Sequence, residues 1–380
     1  MVDQDAPPIP YDSMGFDPRL EAGFHSLGFD GTRPVQGAVI PIALEGHDVV
    51  ACAETGTGKT LAFAVPIIER LLSATPGYGD PAREAYTRAL ILAPTRELAV
   101  QIEDSIVGLT YNTPVTSAAV FGGVEMGPQE RALQAGVDIV VATPGRLMDH
   151  MRHSNTDFVR VDVLVLDEAD RMMDMGFWPD VQKIMAALPP DRQTLLFSAT
   201  LPGEIQRMAT DVLKSPRYVQ VGKRGGAART IDHQMVQVES GAKVDWVATF
   251  TKRDSMGPVL VFVRRKIDAD RVARTLASKG IKAAALHADR SQQERLSAVE
   301  GFRSGRLPVL VATDIAARGL DIEGIAHVIN FEVPDSPETY VHRVGRTGRA
   351  GASGHAVTLV APHEQRAWTA VEAAIGINAR

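Results

Sequence analysis

Short β-branched apolar runs alternate with amphipathic helical stretches from Asp48 onward, the rhythm of a parallel sheet covered on both faces. The runs predict strands near 48–53, 88–92, 115–120, 138–142, 163–167 and 193–198. Gly222-Lys223-Arg224-Gly225-Gly226-Ala227-Ala228-Arg229 then interrupts the rhythm with three glycines and no apolar anchor, so residues 222–230 read as a flexible linker. The pattern restarts with strands near 232–238, 259–263, 282–285, 308–312, 327–331 and 355–360. Residues 1–10, Pro-rich and acidic, read as a disordered tail. The expected fold is α/β: two tandem parallel-sheet domains, 11–221 and 231–380, with one cleft between them and polar motifs at the carboxyl ends of strands.

At 380 residues the chain is long enough for two such cores. No apolar run approaches the length of a membrane span, and Met1-Val2-Asp3-Gln4-Asp5 is acidic where a secretory signal would be basic. No membrane association and a cytoplasmic location are expected. Cys52 is the only cysteine, which excludes an intramolecular disulfide and a thiolate zinc site; it reads as a small buried residue. The net charge of −6 hides an asymmetry. Residues 1–221 carry 17 Lys and Arg against 29 Asp and Glu, whereas residues 222–380 carry 23 against 17. A basic second half suits a polyanionic partner, and the acidic first half has carboxylates to assign to metal and water.

Two strings carry the chemistry. Ala53-Glu54-Thr55-Gly56-Thr57-Gly58-Lys59-Thr60 follows an apolar strand and opens a helix. Its glycines let backbone N–H groups of 55–58 approach phosphates, Lys59 reaches the β and γ oxygens, and the Thr60 hydroxyl can ligate Mg²⁺. Val163-Leu164-Val165-Leu166 delivers Asp167-Glu168-Ala169-Asp170, in which Asp167 faces the metal and Glu168 is placed to orient a water on the γ-phosphate. Either string alone occurs in ordinary loops. Together, in this order, they describe a nucleoside triphosphate and its magnesium.

Further strings join them: Gly28-Phe29 with Gln36, Pro94-Thr95-Arg96-Glu97-Leu98, Gly122-Gly123, Thr143-Pro144-Gly145-Arg146, Ser198-Ala199-Thr200, Gln292 with Arg295, Ala312-Thr313-Asp314-Ile315-Ala316-Ala317-Arg318-Gly319-Leu320-Asp321, and His342-Arg343-Val344-Gly345-Arg346-Thr347-Gly348-Arg349. As a set, over nearly the whole chain and in family order, they resemble the DEAD-box ATP-dependent RNA helicases of superfamily 2. Arg171-Met172-Met173-Asp174-Met175-Gly176-Phe177 looks most like the bacterial RhlE-like branch. Tyr11 stands where an upstream Phe is usual, Thr32 where a Pro is usual, and Ala288 where a Gly is usual.

The resemblance implies two RecA-like domains with ATP and RNA sites spanning the interdomain cleft. Phe29 offers a face to adenine, and the Gln36 amide can donate and accept at once, matching adenine N7 and N6. Arg346 and Arg349, three apart, would project from one face of a helical turn and resemble the family's arginine fingers. Asp321 resembles the residue that meets the ribose. Asp170, Ser198, Thr200 and His342 resemble the residues that couple the acidic quartet to the second half. Thr95, Arg96, Gly122, Gly123, Thr143, Gly145 and Arg146, with Thr313, Arg318 and Gly319, resemble the RNA surface. Glycines, hydroxyls and helix N-termini suit phosphates and few of these groups suit base edges, so binding is expected to be indifferent to sequence. The implied activity is ATP hydrolysis stimulated by RNA through domain closure, with local, non-processive separation of short duplexes. The alternative is an ATP-gated RNA clamp or a scaffold that remodels ribonucleoprotein. Single-stranded RNA and short duplexes are the expected partners of a monomer, with ribosome-assembly or RNA-decay proteins as candidates.

Overall fold

The computed structural model describes residues 2–377 other than 4–5, 54–55, 74–85, 154–155, 157, 201–202, 222–230, 253–256, 318–323 and 349–352. The expected linker lies outside the described residues, as do Thr55, Arg318, Gly319, Asp321 and Arg349. The chain divides into two units, Met1–Gly222 and Lys223–Arg380.

In the first unit the described strands are β1 Val49–Cys52, β2 Ala89–Leu92, β3 Ser117–Val120, β4 Ile139–Ala142, β5 Val163–Leu166, β6 Gln193–Ser198 and β7 Arg217–Gln220. They form one sheet in the order β3-β4-β2-β5-β6-β1-β7, parallel at every pairing. Strand periodicity explains why the runs are apolar throughout. Ala89, Ile91, Val163 and Val165 feed the core on one face, and Leu90, Leu92, Leu164 and Leu166 feed the core on the other.

Register then decides what meets at the carboxyl edge. Cys52 lies opposite Ser198, and Leu166 lies opposite both Leu92 and Leu196. The chain leaves β1, β5 and β6, three neighbouring strands, at Ala53, Asp167 and Ala199. Every strand predicted in this half is present. β7 was not anticipated: Arg217-Tyr218-Val219-Gln220 has one buried residue, Val219, and β1 is the one strand of the sheet it pairs with among the described residues.

Within the segment 1–10, expected as a disordered tail, described residues have backbone partners. The Val2 N–H donates to Gln220 O at 2.7 Å, extending the pairing beyond β7. Ile9 O accepts from the Thr32 N–H at 2.8 Å, and the Thr32 hydroxyl accepts from the Ile9 N–H at 3.0 Å. Composition registers low hydrophobicity; it does not register backbone partners supplied by a neighbouring loop. Cys52 is half-buried rather than buried, its thiol 3.5 Å from Ala199 O.

In the second unit, β8 Ile231–Gln237, β9 Val259–Val263, β10 Ala283–Leu286, β11 Val309–Thr313, β12 His327–Asn330 and β13 Gly354–Val360 form a parallel sheet in the order β10-β11-β9-β12-β13-β8. All six match predicted strands. The fold expectation of two parallel-sheet α/β domains is met. No helix among the described residues is long and apolar enough to cross a membrane.

Candidate functional site

The glycine-rich turn between β1 and the helix Lys59–Ser73 bends where L side chains are disfavoured, with Gly56 at φ 84° and Gly58 at φ 91°. Gly58 is closed to a side chain for a second reason: a Cβ there would lie 2.5 Å from Gln36 Nε2. Lys59 is buried at the head of its helix, and its ammonium donates to Ala53 O at 3.1 Å, across the mouth of the turn. Thr60, one residue further in, is half-buried.

Asp167 leaves β5 at 2% exposure. One carboxylate oxygen accepts the Glu168 N–H at 3.0 Å; the other takes no hydrogen bond among the described residues. Burial pushes this carboxyl up to about 6, against the opposing pull of Lys59. Glu168 has φ 52° and ψ 51°, a left-handed backbone unusual for a residue with a side chain, and it caps the helix Ala169–Asp174. That conformation turns its carboxylate back along the helix, where Arg171 Nη1 donates to it at 2.7 Å, both side chains being almost fully buried. Asp170 faces the end of β6. One oxygen of its carboxylate accepts the Ala199 N–H at 3.1 Å and both the N–H and the hydroxyl of Thr200 at 3.0 Å. The Ser198 hydroxyl donates to Thr200 O at 2.6 Å. Three of the four expected coupling residues, Asp170, Ser198 and Thr200, are thus one hydrogen-bonded group.

Two side chains from the start of the helix Pro34–Leu44 grip the phosphate turn from below. Gln36 Nε2 donates to Gly58 O at 3.0 Å, and Arg33 Nη1 donates to Gly56 O at 2.6 Å. Gln36 is 3% exposed, while Phe29 presents 37% of its surface. The expected adenine pair therefore differs in kind: a buried amide that is already bonded, and an open ring.

The nucleic-acid residues of the first unit fall into two groups. Thr95 caps the helix Arg96–Thr110 by accepting the Leu98 N–H at 3.3 Å. The Arg96 guanidinium lies so close to the Gly122-Gly123 turn that a Cβ at Gly123 would overlap it at 1.8 Å. In the second group, Thr143 precedes the helix Pro144–Arg152, and a Cβ at Gly145 would meet open space. Arg146 donates to Val124 O at 3.0 Å and to Gln129 Oε1 at 3.3 Å, while Gln129 donates to Phe121 O at 2.9 Å. These bonds tie the second group to the loop that holds Gly122 and Gly123.

In the second unit Thr313 ends β11 and is buried. Asp314 receives a two-point ion pair from Arg343, with Nε at 2.6 Å and Nη2 at 2.7 Å, and Arg343 also reaches Asn330 Oδ1 at 3.2 Å. His342 lies on the helix Pro337–Val344. The helix stops at Val344, and Arg346 lies in the turn that follows, its N–H donating to Arg343 O at 3.1 Å and its side chain at 6% exposure. The sequence reading gave no role to Arg33, Arg171, Gln129 or Arg343. Arg171 had a signal, three residues after Glu168 in a helix; Gln129 had none.

The comparisons match these two units separately. Residues 33–208 match the model of the DEAD/DEAH box helicase domain, and residues 242–351 match that of the helicase conserved C-terminal domain. The "ATP-dependent RNA helicase CshA" of Listeria monocytogenes is 40% identical over 354 residues, 93% of this chain and 66% of its own length. The "DEAD-box ATP-dependent RNA helicase CshA" of Bacillus subtilis is 38% identical over 364 residues, 96% of this chain and 72% of its own. Among solved structures, S. cerevisiae Dbp5 bound to RNA and ADP BeF3 is similar with a TM-score of 0.86 at 28% identity, covering 97% of this chain and 94% of that one. Mss116p bound to ssRNA and AMP-PNP gives 0.86 at 29% identity, covering 99% and 80%. The present chain spans about two thirds of the Listeria relative's length. With both domain models matched and close to 40% identity to full-length relatives, the chain belongs to the DEAD/DEAH box helicase family.

Proposed function

We propose that this protein is an ATP-dependent RNA helicase that hydrolyses ATP under RNA stimulation and separates short duplexes locally. The observation that carries the reading is the carboxyl edge of the first sheet, where Lys59, Asp167 and Glu168 leave neighbouring strands with their charges held in place. A buried ammonium at the phosphate turn supplies the cation for β and γ oxygens. Thr60 and Asp167 are the residues that would hold Mg²⁺. The fit rests on a hard-oxygen donor set and on the Asp167 oxygen left without a hydrogen bond, matching an ion that takes one or two protein oxygens and fills its other positions with phosphate and water. When bound, the ion neutralises charge on the phosphates.

Glu168 then orients and accepts from the attacking water. Arg171 fixes its carboxylate, and the left-handed backbone fixes its direction, so little reorganisation is left for the reaction. Arg346 and Arg349 are proposed to stabilise the charge that spreads over the γ-phosphoryl group. Asp321 is proposed at the ribose, and Phe29 and Gln36 at the adenine. Asp170, Ser198, Thr200 and His342 would relay nucleotide state to RNA. Thr95, Arg96, Gly122, Gly123, Thr143, Gly145, Arg146, Thr313, Arg318 and Gly319 would hold the RNA backbone, whatever its sequence. Placement in the RhlE-like branch rests on residues 171–177 alone. RNA-dependent turnover follows because the acid–base and metal residues belong to one unit and the arginines to the other.

The test is steady-state ATP hydrolysis with single-stranded RNA, with single-stranded DNA of the same sequence, and with neither. Strong stimulation by RNA alone is expected. Equal turnover in all three at saturating ATP would reject the proposal.

A further inference from the structure

Tyr11 and Gln36 are 25 residues apart, and both are almost completely buried. The Tyr11 ring stacks on Phe24, centroids 4.1 Å apart and 11° from parallel, and tilts against Phe16, which fixes the position of the ring. It donates to Gln36 Oε1 at 2.8 Å. The Arg33 backbone N–H donates to the same oxygen at 2.6 Å, and Gln36 Nε2 donates to Gly58 O at 3.0 Å. A backbone N–H only donates and a carbonyl only accepts, so these two neighbours fix which end of the amide is oxygen. Burial pushes the Tyr11 hydroxyl up to about 12, so it keeps its proton at any working pH.

A primary amide has two acceptor lone pairs and two N–H donors. Here both lone pairs are occupied, by Tyr11 and Arg33, and one N–H remains. That N–H fits N7 of a purine, which is an acceptor in adenine and guanine alike; only position 6 separates them, an amino donor in adenine and an oxygen acceptor in guanine. Reading the amino group takes a lone pair of Oε1. Of the two donors in the way, the Arg33 N–H is fixed at the start of the helix Pro34–Leu44, whereas the Tyr11 hydroxyl rotates about a single bond.

We propose that the Tyr11 hydroxyl competes with the adenine amino group for Gln36 Oε1, lowering the preference for ATP over GTP. This rests on the nucleotide site proposed above. A phenylalanine at this position keeps the stacked ring and releases the lone pair to the base.

The experiment compares ADP and GDP affinity by titration calorimetry for wild type, Tyr11→Phe, Gln36→Ala and the double variant. Tyr11→Phe is expected to raise the ADP-over-GDP ratio about three- to tenfold, through tighter ADP, the scale of one hydrogen bond regained. The same substitution in the Gln36→Ala background should leave the ratio unchanged. An unchanged or lowered ratio in Tyr11→Phe overturns the competition, as does an equal rise in both backgrounds. A second measurement needs no variant: on the wild-type chain purine riboside diphosphate, which lacks the 6-amino group, should bind within about fivefold of ADP, and a larger loss overturns the inference. Binding of neither ADP nor GDP by wild type would remove the nucleotide site, and this inference with it.

Discussion

The two ends of the first sheet carry similar charges and put them to different use. At the amino end an open pocket of about 580 Å³ is lined by Asp48, Arg70, Arg88, Asp162, Arg192 and Lys214 among others. Most of its groups are spent on one another and on the backbone, with Arg192 Nε buried and without a hydrogen bond among the described residues. Asp48 accepts the Thr194 N–H at 2.8 Å and the Lys214 N–H at 2.6 Å, Asp162 pairs with Arg88, and Lys214 pairs with Asp191 at 2.9 Å. Arg70 and Arg192 donate to Ala43 O and Pro189 O. At the carboxyl end Asp167 keeps an oxygen without a hydrogen bond and is pushed up to about 6 for want of solvation. A hollow lined with charge is a structural joint where its carboxylates are all paired. The acceptor left over on Asp167, at a strand end beside the Lys59 ammonium, is where we propose that a ligand binds.

The largest effect should come from Glu168→Gln. The amide keeps the shape and loses the charge that accepts from water, a role worth about 10² to 10⁴ in rate. Single-turnover hydrolysis should fall by that factor while ATP affinity holds, and RNA should be retained longer in ATP. If the variant turned over within a few fold of wild type, the carboxyl end would be no more catalytic than the amino end and the comparison would collapse.

Asp167→Asn sharpens the contrast through pH. Burial raises the folded pKa from 3.8 to about 6, so the folded state binds this proton more tightly than the unfolded chain. The neutral acid's contribution is therefore complete below about pH 4 and is lost as pH rises through about 6. Asparagine stays neutral throughout. Urea melts without nucleotide or metal should give equal stability near pH 4, with the variant ahead by about 3 kcal/mol at pH 8. Magnesium with ATP should then stabilise wild type and leave the variant unmoved. A variant less stable than wild type at pH 8 would show that Asp167 is paired after all, like its counterparts at the amino end.

Much of this contrast was readable in the sequence, and what escaped has a common physical cause. Val163 to Leu166 read as a buried strand because the run is short, β-branched at alternate positions and bounded by carboxylates, and a strand of that length delivers Asp167 at its end. The candidacy of Lys59 and Thr60 followed from chemistry at fixed spacing, and that of Asp170 from the family resemblance. β7 escaped because an edge strand with Arg217 and Tyr218 exposed carries no buried pattern. Tyr11 was noted only as a departure, since a hydroxyl's partner 25 residues away is a property of packing and not of spacing. Arg346 was placed on a helix by its interval from Arg349, yet Gly345 caps that helix.

Asp48→Ala probes the amino end where its valences are most completely filled. The side chain is 6% exposed and satisfies two backbone N–H groups, one on β6 and one ahead of β7. Removing it strands the Thr194 donor in the interior and frees the Lys214 donor near the surface, at a cost of about 1 to 3 kcal/mol. ATP hydrolysis by the folded fraction should be unchanged. A loss of turnover in step with the loss of stability, at a temperature where the variant is fully folded, would mean that the two ends are not independent.

The smallest effect belongs to Asp191→Asn, on the rim of the same pocket. Its carboxylate is fully exposed, and the bond to Lys214 at 2.9 Å holds its pKa below the ordinary carboxylate range. Water solvates both partners as well apart as together, salt screens what attraction remains, and ordering two mobile side chains offsets most of the gain. The variant should therefore melt with wild type at physiological ionic strength, and should separate from it slightly, if at all, only in low salt. The same pocket would then hold one carboxylate that matters and one that does not, divided by burial alone. A melt for Asp191→Asn displaced as far as that of Asp48→Ala would show instead that the amino-end charges act as a network, and burial would no longer be the variable that sorts them.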